Sequence, residues 1–373
     1  PGSIDVFVTK LAPDGLSLVY STLVIGTADD LGYGIDLLGD GSVVVAGQTE
    51  SGDFPTTTGA FDESFNGGGV DAFVFRLAPD GASLLYSTFL GGSGLDFGRD
   101  IAVDDFGAAF AVGGTLSPDF PTTGGVVGPT PSGDDDVFAV KVTPDGDGIL
   151  WGTYIGGSGG EFANAVTLLG GDAFITGDTM SPDLPTTPGV FGETPAGSGD
   201  SFVAHLAPDA SAFAFLTYLG GSSPDFGEGI VVSGDGTVYV TGITVSGFPV
   251  TAGAAFPTPS GDEDAFLAVL TPDASAITYA TYIGGGFVVF GCDVALDDTG
   301  LPVIVGKTAS ADFPTTSDAP QPIYGGITDG WYTRIDPGLF GAASFLHSTF
   351  IGGTAPDIAH AESVALPPVA TTS

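Results

Sequence analysis

Apolar and polar residues alternate in short runs of six to eight, and each run ends at Gly, Pro or Asp. In one stretch, FVFRLA (73–78) alternates and stops at a Pro-Asp-Gly turn, and SLLYSTFLGG (83–92) follows. After the loop SGLDFG come RDIAVD (99–104), a second turn and AAFAVGGT (108–115). Period-two runs rich in β-branched and aromatic residues, punctuated by turn formers, predict β-strands. No comparable stretch carries the 3.6-residue apolar period of a helix.

The pattern repeats. An Asp opening an aromatic-rich strand and a Pro-Asp turn recurs at Asp5, Asp71, Asp136, Asp200, Asp264 and Asp329, in steps of 66, 65, 64, 64 and 65 residues. A period this regular means one supersecondary unit stacked on copies of itself. The units run over about 5–70, 71–135, 136–199, 200–263, 264–328 and, in part, 329–373. Four antiparallel strands per unit predict the blade of a β-propeller, so the whole chain, 1–373, reads as a single all-β domain.

Strand order follows from side-chain size. The strand after the GxxxDFG loop carries small residues early, at Gly32, Gly34, Gly98, Ala163, Gly227, Gly229, Gly291, Ala359 and Ala361. Such residues suit the crowded innermost strand, A. The VVVAGQT-type segment is then B, the Asp-led strand C, and the YSTFLGG-type strand D, at the outer edge. Five complete blades start near residues 32, 98, 162, 227 and 290. A sixth A strand is expected at 359–366 with a short B in 367–373, while 5–11 and 16–25 supply a C and a D. Pairing these ends would close a six-bladed ring and remove its exposed sheet edges. Pro367 and Pro368 are poor central-strand residues, so the alternatives are a seven-bladed ring or an open one completed by another chain.

Composition narrows the function. Gly (62) and Pro (27) are abundant, yet apolar residues make up 43% and mean hydropathy is +0.36, which sets the chain apart from disordered sequences. Six Lys and Arg against 45 Asp and Glu leave a net charge of −39. That excludes nucleic acid and disfavours anionic membrane surfaces, and it suits a salty or calcium-rich exterior. With one cysteine, Cys292, no internal disulfide forms, and its apolar setting predicts a buried small side chain. No run approaches a transmembrane helix, so no membrane insertion is expected. No signal peptide is visible, and the chain starts inside a repeat at Pro1.

The segment DAFVFRLAPDGASLLYSTFLGGSGLDFGRDIAVDDFG (71–107) and a DFPTT signature together resemble the SBBP family of bacterial and archaeal β-propeller repeats. The signature stands at 53–57, 119–123 and 312–316, as DLPTT at 183–187 and as GFPVT at 247–251. The resemblance covers almost the entire chain. It implies a propeller of an extracellular or cell-surface protein, with no catalytic residues to transfer.

Candidate chemistry is sparse. An acid recurs at the D–A loops, at Asp30, Asp96, Glu161, Asp225 and Asp357, with Val289 breaking the series. Converging carboxylates there would take Ca²⁺, which prefers oxygen ligands; the competing reading, favoured on frequency, is an Asp capping its own turn. A basic register on strand C (Lys10, Arg76, Lys141, His205, Arg334, with Val269 as the exception) suits one structural salt bridge per blade. In the long B–C loops, Phe-Pro-Thr-Thr reads as a plug whose aromatic packs and whose Thr hydroxyls bond locally. The acid runs Asp134–Asp136 and 262–264 lie in these loops as well. The histidines His205, His347 and His360 show no zinc spacing, and no Ser-His-Asp set stands out.

The expectation is therefore a protein that is not an enzyme: a secreted structural or adhesive propeller, with no cofactor required, acting as a homo-oligomer or as the repeating subunit of a filament. Two alternatives remain, a Ca²⁺-dependent module binding glycans or surface proteins and a polysaccharide-degrading enzyme.

Overall fold

The alternating runs form strands, and most of their apolar positions are buried. The computed structural model describes Gly2 and residues 4–355. Among these residues there is no α-helix, only one 3₁₀ turn at Gly341–Ser344. The strands are β1 (Val6–Leu11), β2 (Leu18–Val24), β3 (Asp30–Leu37), β4 (Val43–Thr49), β5 (Asp71–Leu77), β6 (Leu84–Leu90), β7 (Asp96–Val103), β8 (Ala109–Thr115), β9 (Asp136–Val142), β10 (Ile149–Ile155) and β11 (Glu161–Leu169). They continue as β12 (Asp172–Thr179), β13 (Asp200–Leu206), β14 (Phe213–Leu219), β15 (Asp225–Val232), β16 (Val238–Thr244), β17 (Asp264–Leu270), β18 (Ile277–Ile283), β19 (Val289–Leu296), β20 (Pro302–Thr308), β21 (Asp329–Ile335) and β22 (Phe345–Ile351).

Five sheets have four strands in the order A-B-C-D: β3-β4-β5-β6, β7-β8-β9-β10, β11-β12-β13-β14, β15-β16-β17-β18 and β19-β20-β21-β22. This is the strand order expected from sequence. The sixth sheet has only β1 and β2, an antiparallel C–D pair in which Val6 faces Val24 and Thr9 faces Ser21. Its expected A strand at 359–366 and B stub at 367–373 lie outside the described residues.

The chain divides into two compact units, Pro1–Ala173 with Leu206–Phe213, and Phe174–His205 with Ala214–Ser373. In the first unit the A strands stack, β3 on β7 and β7 on β11. Small residues permit this: a Cβ on Gly34 would sit 2.6 Å from the Ile101 nitrogen, and one on Gly98 would run into the Gly47 carbonyl. Carboxylates then link the stack. Asp36 accepts the Val103 N–H at 2.8 Å, and Asp100 accepts the Val166 N–H at 2.7 Å. Val6, Val8 and Val24 are buried in a cluster with Val45, Phe73 and Phe75. In the second unit β15 packs on β19, with Gly229 against the Asp293 backbone. Its core gathers Leu267, Ile283, Ile304, Trp331 and Phe350.

Strand A carries a β-bulge, seen as register shifts between Gly32 and Gly34, Gly98 and Asp100, Gly227 and Gly229, and Gly291 and Asp293. Cys292 occupies the last of these bulges and is half-buried. That corrects the expectation of a buried cysteine, because the extra bulge residue turns away from the pleat. Burial still pushes its thiol up to about 11.

The B–C loops do something the sequence did not disclose. The last Thr of each signature donates its N–H across to strand D: Thr57 to the Ser87 carbonyl at 3.1 Å, Thr123 to Gly152 at 3.0 Å, Thr187 to Leu216 at 3.1 Å, Thr251 to Ala280 at 3.1 Å and Thr316 to Ser348 at 3.0 Å. Further along, Phe89, Tyr154, Tyr218, Tyr282 and Phe350 of strand D donate their N–H to the Asp62, Gly128, Gly192, Phe256 and Gln321 carbonyls of the loop. The loop therefore satisfies the outer edge of its own sheet, a site that otherwise recruits other strands. The signature aromatic anchors it: Phe54 stacks on Phe73 at 4.4 Å, Phe120 on Phe138 at 4.6 Å and Phe248 on Phe266 at 4.2 Å. The degenerate GFPVT copy keeps Phe248 and Thr251, the two positions that dock.

Among the described residues no such loop covers β1–β2. Phe7 is 68% exposed where its counterpart Phe73 is 0%, and Leu23 is 63% exposed where Phe89 is 1%.

Candidate functional site

The recurrent acid is the first residue of strand A rather than a residue of the loop before it. Asp30, Asp96, Glu161 and Asp225 are all buried, and each closes its own D–A turn. Gly26 donates its N–H to Asp30 at 2.6 Å, Gly92 to Asp96 at 2.8 Å, Gly157 to Glu161 at 2.8 Å and Gly221 to Asp225 at 2.6 Å. The Thr49 hydroxyl donates to Asp30, and those of Thr115 and Ser117 donate to Asp96 at 2.5 and 2.7 Å. Asp357 lies outside the described residues.

The turn-capping role is the one these contacts display. Each described member sits on its own turn, and among the described residues no group of three His, Cys, Asp or Glu is placed to hold a metal. A short turn rich in N–H donors satisfies an acid locally, which fixes it there.

What the structure does bring together is a pair. The acid that opens strand A lies beside the Asp that opens strand C of the preceding sheet, a residue that sequence reading used only to mark the repeat. A Cβ on Gly91 would lie 2.9 Å from Asp96 Oδ2 and 3.2 Å from Asp71 Oδ1. Gly156 separates Asp136 from Glu161 in the same way, and Gly220 separates Asp200 from Asp225. The C-strand Asp caps the end of the B–C loop: Asn66 donates its N–H to Asp71 at 2.6 Å, Ala196 to Asp200 at 2.8 Å, Ser260 to Asp264 at 2.7 Å and Gly325 to Asp329 at 2.6 Å. One oxygen remains without a donor at Asp5, Asp71, Asp200 and Asp329. Burial pushes Asp71 up to about 7, with the charges of Asp96 and Asp62 adding to it. Burial also pushes Asp225 up to about 6, with Asp200 adding to it.

The basic register forms salt bridges to the A–B hairpins, as its spacing suggested. Arg76 pairs with Asp40 at 2.9 Å, Lys141 with Asp104 at 2.9 Å and Arg334 with Asp297 at 2.6 Å. His205 instead stacks on Phe174 at 4.0 Å. Lys10 stands in β1, whose sheet has no A–B hairpin among the described residues. The signature Asp tethers the B–C loop to the D–A loop: Asp53 accepts the Thr27 N–H at 2.9 Å, and Asp119 accepts the Ser93 N–H at 2.8 Å. No helix among the described residues is long and apolar enough to cross a membrane.

No family model matches the chain. The regulatory protein FlaEY of Caulobacter vibrioides is 26% identical over 300 residues, 76% of this chain and 30% of FlaEY. The chain thus spans under a third of that protein's length. Among solved structures, an apocarotenoid oxygenase variant from Synechocystis superposes with a TM-score of 0.45 at 13% identity, over 94% of this chain and 69% of the oxygenase. A Dyadobacter fermentans protein of unknown function gives 0.46 at 10% identity, over 89% and 86%. The expectation that the protein is not an enzyme is corrected by these neighbours, since oxygenases stand among them. The correction assigns no reaction and no catalytic residue.

Proposed function

We propose that the chain is a six-bladed β-propeller that works outside the cell as a structural or adhesive subunit. Its half-sheet β1–β2 is completed as a sixth blade by strand pairing at the edge of β1, within the chain or between copies. The supporting observation is the half-sheet β1–β2. Among the described residues it has a free strand edge at β1 and an apolar face at Phe7, Leu18 and Leu23, whose burial is worth roughly 1.5–3 kcal/mol per side chain. Made within one chain, the join closes the ring; made between copies, it links them in a row, as a filament requires. The SBBP-like repeats and the acidic surface suit an extracellular setting, and the match to a third of FlaEY fits a module used inside larger proteins.

The test compares the full chain with a variant lacking residues 356–373, by melting and by electron microscopy with sedimentation. Loss of the segment is expected to lower Tm by several degrees and to change self-association. Equal melting and dispersed monomers in both samples would remove the support for strand pairing at β1.

A further inference from the structure

In each four-stranded sheet one aromatic of strand C lies under the signature loop. Phe73, Phe138, Phe202, Phe266 and Trp331 hold this position, and all are buried. Phe54, Phe120 and Phe248 stack on three of them, and Phe313 meets Trp331 at 5.0 Å. On the half-sheet the position belongs to Phe7. Its cross-strand partner Leu23 stands where Phe89 gives its N–H to the loop, and Phe7 and Leu23 are both exposed. The outer strand β2 is also an edge strand. Its Ser21 matches Ser87, which accepts the Thr57 N–H and donates its own to the Thr57 hydroxyl at 3.0 Å.

A separate contact marks the same place. In three repeats the loop also donates an N–H to the C–D turn of the following sheet: Phe61 to Gly146, Val127 to Ala210 and Phe191 to Ala274. The matching acceptor beside β1–β2 is the Gly81 carbonyl, and there the Thr22 hydroxyl of β2 donates to it at 2.6 Å. Elsewhere the threonine at this position of strand D turns to the loop: Thr88, Thr153, Thr217, Thr281 and Thr349 donate to the Asp62, Gly128, Gly192, Phe256 and Gln321 carbonyls. Thr22 thus satisfies a carbonyl that a loop N–H satisfies in the other repeats.

We propose that Phe7, Leu23 and the outer edge of β2 form a docking site for a Phe-Pro-Thr-Thr loop carried by another protein. The five covered sheets define the occupant's chemistry. An aromatic ring stacks on Phe7, a threonine three residues later bonds to Ser21, and a carbonyl further on accepts the Leu23 N–H. Backbone bonds to a strand edge supply affinity, and the ring in its slot supplies specificity. Each of this chain's own five signature loops is held by its own outer strand, so the occupant comes from a second protein. The site lies on the opposite edge of the half-sheet from β1 and holds whether or not β1 is paired.

The experiment titrates a fluorescent peptide of residues 118–130 with the full chain and follows anisotropy. This loop carries a single acid, Asp119, which limits repulsion by a chain of net charge −39. Saturable binding is expected, with slowed hydrogen exchange at the Leu23 amide. Phe120→Ala in the peptide and Phe7→Ser in the protein should each weaken binding about tenfold or more. Phe106→Ser, at an exposed ring on the hairpin between β7 and β8, should leave it unchanged. Phe7 is exposed, so its replacement spares the fold, and circular dichroism checks this. Three results overturn the proposal. One is no saturable binding up to about 1 mM peptide, including the case where Phe7→Ser instead breaks a dimer in sedimentation and a second copy is the occupant. Another is equal loss in Phe7→Ser and Phe106→Ser. The third is binding that appears only after residues 356–373 are removed, which would make the chain's own segment the occupant.

Discussion

Removing the ring of Phe120 should both destabilise the protein and open one sheet edge. Phe120 is buried, stacked on Phe138 at 4.6 Å and edge-on to Tyr154 at 6.2 Å. A Phe→Ala change in a packed core costs about 3–5 kcal/mol from lost transfer energy and the cavity left behind, and an aromatic pair adds about 0.5–1.5 kcal/mol beyond its area. The ring sits on a loop that can sag into the gap, so the lower end applies, about 3 kcal/mol for Phe120→Ala. Phe120→Leu copies the residue that the third sheet uses, Leu184, and should cost less than about 1.5 kcal/mol. Urea unfolding followed by tryptophan fluorescence measures both. Hydrogen exchange supplies the structural half, because the loop receives the Tyr154 N–H at Gly128 and donates the Thr123 N–H to Gly152. The Tyr154 amide should exchange faster in the alanine variant, while the amides of β8 stay protected. A cost below about 1 kcal/mol with Tyr154 still protected would refute the anchoring role of the signature aromatic.

Two further predictions concern charge. Burial raises Asp100 to about 7, against backbone bonds from Val166 and Ile101 that act the other way. The folded state therefore holds this proton more tightly than the unfolded chain does. The resulting stability is fully present below the ordinary carboxylate range and is lost as pH rises through about 7, with a slope of at most about 1.4 kcal/mol per pH unit; Asp100→Asn should flatten the fall of Tm between pH 5 and pH 8. Lys141 and Asp104 are both largely shielded from solvent, whereas Asp40, the partner of Arg76, is half exposed. Lys141→Met should therefore cost about 2–3 kcal/mol and Arg76→Met less than about 1 kcal/mol in denaturant unfolding, and the reverse order would sink the assignment.

Strand type and order were legible because they are written locally. Alternation marks each strand, Gly-Pro-Asp clusters mark each turn, and Gly34, Gly98 and Gly229 mark the strand that packs backbone to backbone. The salt-bridge register was legible as well, since Arg76 and Asp40 stand on paired strands and their hairpin. The pairing of Asp71 with Asp96, or of Asp200 with Asp225, was not. It joins two sheets through a Gly that reads as an ordinary turn residue, and nothing within a single repeat shows what the next one presses against it. The reach of Thr57 to Ser87 was hidden for a related reason: a Thr after Pro reads as a local turn former, while its partner stands thirty residues away in the outer strand. The start of strand A was placed about two residues late, because the acid was assigned to the loop that it caps.

The folded-over loops also determine how the protein would precipitate. A molecule whose B–C loop has swung away is still native everywhere else, yet it bares a row of amides beside an apolar slot. The concentration of that half-opened species, rather than of unfolded chain, would set the pace of clumping. A storage additive that tightens the loop should therefore prolong shelf life even where it leaves the melting curve untouched.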